Sequence, residues 1–109
     1  MGSNNEFRDF VLDQLSGMGG FETKNMFGGT AVLKDGVAFA KIKQGTLWLK
    51  VNDKNIENFT KMGMKQYTYG NDNQRKLNFY EAPAEVLENA DQLVEWASRS
   101  FKAAVESRK

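Results

Sequence analysis

Three lysines and two aromatic residues recur along a pair of strand-like segments, "VAFAKIK" at 37–43 and "TLWLKV" at 46–51. Strict alternation puts Phe39, Lys41, Lys43, Trp48 and Lys50 on one face, with Thr30, Val32, Val37 and Thr46. Ammonium groups beside aromatic rings can hold single-stranded nucleic acid, lysines meeting phosphates while bases stack on rings. The same set also describes a sheet face covered by a helix or a second subunit, with lysine stems lying along its rim. The charge balance favours the second reading. Fifteen basic and 14 acidic residues leave a net charge of +1, whereas a nucleic-acid domain is usually clearly basic. Locally the picture differs, since residues 37–54 hold four lysines and one aspartate.

A second feature is the glycine pair Gly28-Gly29, directly after Met26-Phe27. Paired glycines can cradle a phosphate with their backbone N–H groups, or let a chain turn where no side chain fits. A phosphate loop needs a following helix and a lysine with Ser or Thr. Here a strand signal, "TAVL", follows instead. The pair is therefore read as a structural turn or bulge.

Acid–base chemistry has little to work with. The chain contains neither cysteine nor histidine, so it lacks thiolate nucleophiles, Cys-ligated metals and the side chain most used as a general base near neutral pH. Asp35 fits a hairpin turn, and Asp53 and Asp91 fit helix starts. Tyr80-Glu81 has no nucleophile near it in sequence. No catalytic residue, metal, cofactor or small-molecule substrate is expected, and the chain is not expected to be an enzyme.

The elements that must position these residues follow from periodicity. Phe7, Phe10, Val11 and Leu15 recur at helical spacing over 5–16, with Asn4 or Asn5 as the expected cap. "FETKNMF" reads as a strand. Close turns at Lys34-Asp35-Gly36 and Gln44-Gly45 then link "TAVL", "VAFAKIK" and "TLWLKV" into an antiparallel meander. Asn52 or Asp53 is the expected cap of a middle helix that stops at Gly63. "KQYTYG" and "KLNFYE" read as further strands around "NDNQR", and Pro83 opens a helical turn. From Asp91 on, Leu93, Trp96, Ala97, Phe101, Ala104 and Val105 make one apolar stripe of a long C-terminal helix. Its charges suit the helix dipole, acids early and bases late, except Glu106.

Alternation leaves Ala31, Leu33, Ala38, Ala40, Ile42, Leu47, Leu49 and Val51 on the opposite, purely apolar face. That face has first claim on the helices. Phe39 and Trp48 would then stay half exposed, the mark of an interaction site. A homodimer or another protein partner through that face is the expectation, with direct nucleic-acid binding the less favoured alternative.

At 109 residues with 40% apolar content, one domain spanning 1–109 is expected. Residues 1–4 are treated as a tag remnant or disordered. No apolar run approaches the ~20 residues that cross a bilayer, and no secretory signal opens the chain. A cytoplasmic protein with no membrane partner is expected.

Seven fragments together resemble a known family. "MFGG" at 26–29, "LKDGVAFA" at 33–40, "LWLKV" at 47–51, "GM" at 63–64, "YTY" at 67–69, "YEAPAEVLE" at 80–88 and "LVEWA" at 93–97 stand in the order and spacing of the TfoX N-terminal domain. The resemblance implies an α+β fold of the secretion-chaperone-like kind, with helices against an antiparallel sheet. Full-length TfoX proteins are regulators that raise competence-gene expression for DNA uptake, acting with the cyclic-AMP receptor protein, and they carry a second, helical domain. The family supplies no catalytic residues. A stand-alone regulatory or adaptor domain of bacterial type, linked to competence or transcription through protein partners, is what the resemblance implies.

Overall fold

The computed structural model describes residues 2–26, 28–70, 72 and 74–108. Helix α1 (Gly2–Gln14) runs into a 3-10 turn at Leu15–Met18. Strands β1 (Glu22–Met26), β2 (Gly29–Lys34), β3 (Val37–Lys43) and β4 (Thr46–Lys50) follow. Then come α2 (Ile56–Thr60), β5 (Gln66–Tyr69), β6 (Arg75–Glu81), α3 (Ala84–Leu87) and α4 (Ala90–Ser107). The fold is α+β, and its six strands form one antiparallel sheet in the order β1-β2-β3-β4-β6-β5.

The meander holds through β4 and then breaks. β6, not β5, lies beside β4, pairing Trp48 with Glu81, Leu49 with Tyr80 and Lys50 with Phe79. The more apolar strand takes the inner place, since Tyr80 packs on the core while Thr68 and Tyr69 are exposed. The tight turns behave as their residues require. Asp35 and Gln44 both have φ 53°, each followed by a glycine at φ 77° or 74°. Such left-handed pairs match the twist of the flanking strands.

One extra residue in β3 reorders the two faces. Val32 pairs with Ala40 and Leu33 with Ala38, so Phe39 has no partner on β2. This bulge turns Phe39 and Ala40 to the same side, and both are buried. Everything in β2 and β3 before it then changes sides relative to the strict alternation read from sequence. Thr30, Val32, Val37 and Phe39 face the core with Ile42, Leu47 and Leu49; Ala31, Leu33 and Ala38 move to the opposite face. Phe39 is therefore corrected: it is 0% exposed and meets Phe101 of α4 edge-on, with ring centres 6.1 Å apart.

All four helices pack on that one side. Val11, Leu15, Phe59, Val86, Leu93, Ala97 and Ala104 join Phe39, Leu47 and Leu49 in a single core. Trp96 meets Phe59 edge-on at 4.8 Å. Burying each large side chain here stabilises the fold by roughly 1.5–3 kcal/mol.

Several local expectations shift. α1 starts at Gly2, ahead of the expected start at Asn4 or Asn5, whose side chains lie outside those described. The chain enters α2 through a turn in which Asn52 Oδ1 accepts from Lys54 N–H and Asn55 Oδ1 accepts from Asn52 N–H, so the helix opens later than Asn52 or Asp53. Its end is as expected: Gly63 has φ 74°, and Met64 N–H reaches back to Phe59 O. α4 is capped by Asn89, whose Oδ1 accepts from Gln92 N–H at 3.0 Å, leaving Asp91 in the first turn. Val105 leaves the stripe and is exposed. Phe27 and the loop positions Asn71 and Asn73 lie outside the described residues.

Candidate functional site

The side of the sheet away from the helices carries Lys41, Lys43, Trp48 and Lys50, placed there by the register of β3 on β4. Phe39 has left this set. Two aromatic residues that strand alternation could not attach to it take its place, Tyr67 from β5 and Phe79 from β6. Phe79 arrives because it pairs with Lys50. Tyr67 arrives because its ring reaches across β6 to meet Trp48 edge-on, at 5.0 Å between ring centres. The swap of β5 and β6 created this cluster, and nothing in the local pattern of either strand announces it.

The lysines lie over the rings. Lys41 Nζ stands 4.8 Å from the Tyr67 ring centre and 5.6 Å from that of Phe79. Lys50 Nζ stands 5.3 Å from the Phe79 centre, and Lys43 Nζ donates to Tyr67 Oη at 3.4 Å. Each ring offers its negative face to an ammonium, an attraction of about 0.5–1 kcal/mol at a half-exposed site. The three lysines are half-buried, their stems lying along the sheet face. Lys24 joins the same face through its pairing with Ala31. Glu81, opposite Trp48, and Glu22, opposite Leu33, bring negative charge to its margins. The surface is cationic over an aromatic floor, with a cleft of about 320 Å³ beside Lys43, Trp48 and Tyr67. Such a surface can dock an anionic partner.

Gly28 and Gly29 lie at the tip of the β1–β2 hairpin. Gly28 has φ 75°. A Cβ on Gly29 would sit 2.7 Å from Ile42 O of β3, closer than real side chains come. The two glycines thus serve a left-handed turn and a close backbone approach. A cleft of about 500 Å³ opens beside them, lined by Arg8, Asn25, Thr30 and Gly45 among others. The Arg8 guanidinium there contacts Asp9 at 3.3 Å. Among the described residues, no three His, Cys, Asp or Glu side chains gather as a metal site would require.

Residues 13–104 match the family model of the TfoX N-terminal domain. The chain belongs to the TfoX N-terminal domain family. The match runs from the end of α1 to the late turns of α4, so it takes in the whole sheet and the lysine–aromatic face. A comparison with curated proteins found no significant match. Among the described residues, no helix is long and apolar enough to cross a membrane.

Proposed function

We propose that this chain is a competence-regulator-like binding module without catalytic chemistry, acting through an acidic protein partner held on the helix-free face of its sheet. The observation that carries the reading is the array of Lys41 and Lys50 over Tyr67 and Phe79, with Lys43 bonded to the Tyr67 hydroxyl and Trp48 edge-on to the Tyr67 ring. A domain that needed this face only to close its core would bury apolar side chains there instead. The lack of histidine and cysteine supports a non-enzymatic role, and family membership supports a regulatory one. Lys41 and Lys50 also occupy Tyr67 and Phe79 faces on which bases would have to stack, which favours carboxylates over single-stranded nucleic acid as the anion.

The test uses Trp48 as its own reporter in a Trp96→Phe background. Titration with a glutamate-rich peptide at low salt should change Trp48 emission, and the change should fade with added salt. The triple variant Lys41→Glu, Lys43→Glu, Lys50→Glu should lose the response while keeping its far-ultraviolet circular dichroism. A response to single-stranded oligonucleotide alone would replace the protein partner with nucleic acid. No response to either would remove the face as a binding surface.

A further inference from the structure

β1 is an open sheet edge. All five of its residues, Glu22 to Met26, are exposed, and β2 is its neighbour on one side only. Among the described residues, no loop hydrogen-bonds to its outer backbone groups. Met26 pairs with Gly29 across the two-residue connection 27–28, and in such hairpins the closing pair is hydrogen-bonded. Alternation then turns the N–H and C=O groups of Thr23 and Asn25 outward. This edge can accept another antiparallel strand, and its charges specify which one.

We propose that β1 pairs antiparallel with β1 of a second copy, about a two-fold axis through Thr23, joining two sheets into one. In this register Thr23 and the partner's Thr23 exchange backbone hydrogen bonds. Glu22 lies opposite the partner's Lys24, and Lys24 opposite the partner's Glu22. Both ion pairs fall at non-hydrogen-bonded positions, where facing side chains come closest. The neighbouring registers that also satisfy the ladder are penalised or neutral. Sliding one way sets Glu22 against the partner's Glu22; sliding the other way sets Lys24 against the partner's Lys24. A further step puts Lys24 opposite the partner's Met26, with no charge pairing. A lysine on an edge strand usually guards against pairing. With Glu22 two residues away on the same face, it forbids the wrong registers and favours one. The opposite edge, β5, has no acidic or basic residue between Gln66 and Tyr69 and offers no such code.

A two-fold interface contains each contact twice, so one charge reversal turns two attractions into two repulsions. Sedimentation equilibrium at low salt, on the full chain from low to high micromolar concentration, reads this directly. Wild type should show a monomer–dimer equilibrium. Glu22→Lys alone and Lys24→Glu alone should each raise the dissociation constant on the order of tenfold or more. An equimolar mixture of the two variants should restore a dimer, because the paired lysines on one variant's strand then face the paired glutamates on the other's. Both positions are exposed, and matching melting curves would confirm that each variant folds. A wild type that stays monomeric at high micromolar concentration would overturn the proposal and make Lys24 a guard. A dimer that ignores both reversals, or a mixture that restores nothing, would overturn it equally.

Discussion

At the scale of single residues, two side-chain environments carry sharp predictions. Gly29 has no room for a Cβ beneath the Ile42 carbonyl, so Gly29→Val should either part β2 from β3 or distort the hairpin. We expect a loss of about 1–3 kcal/mol, read as a lower melting temperature. Glu106 explains an oddity of the sequence, an acid in the last turn of a helix. Its carboxylate accepts from Lys54 Nζ at 3.0 Å and from Asn52 Nδ2 at 2.9 Å, and these contacts, with Lys54 and Lys102 charges nearby, hold its pKa below the usual carboxylate value. A depressed pKa adds stability above the unfolded pKa, and that stability disappears as pH falls through the folded one. Thermal melts of wild type and Glu106→Gln should therefore differ at neutral pH, with wild type higher. The gap should close in acid, below the range where free glutamate titrates. A gap that persists there would assign the effect to packing.

At the scale of elements, the legible parts were those set by local spacing. The α4 stripe as far as Ala104, the close hairpin turns and the Gly63 stop all depend on residues within a few positions of one another. The bulge at Phe39 does not. "VAFAKIK" alternates plausibly on either side of it, and the inward Phe39 is held by residues distant in sequence, Phe101 of α4 among them. Because strand period is two, that single residue inverted the assignment of a strand and a half. Tyr67 and Phe79 were missed for a different reason, since non-sequential strand order is invisible to a pattern read along the chain. α4 itself carries one unresolved tension. Ser100 is fully buried, and its Oγ has no hydrogen-bond partner among the described residues. Ser100→Ala removes the stranded hydroxyl and improves helix propensity, so it should stabilise by about 1 kcal/mol. An unchanged or lower melting temperature would mean that the hydroxyl is satisfied in solution.

At the scale of the whole molecule, the sheet divides two duties. One face, built on Phe39, Leu47 and Leu49, holds the chain together; the other, built on Trp48 and the lysines, is free of helices and is the one we propose for binding. The division has a consequence for how the protein comes into being. The helix layer over β3 and β4 depends on α4, which is made after all the strands, and α4 also packs on the 3-10 turn that follows α1. Until residues 90–107 leave the ribosome, the apolar side of a nearly finished sheet lacks the helix that packs on β3 and β4. Such nascent surfaces are what chaperones recognise and what aggregates form from. Chains stalled or truncated before Leu93 should therefore be found with chaperones or in inclusion bodies, while those reaching Ser107 should be released folded. In this protein the same sheet that leaves one face open once folded must have its other face shielded at birth.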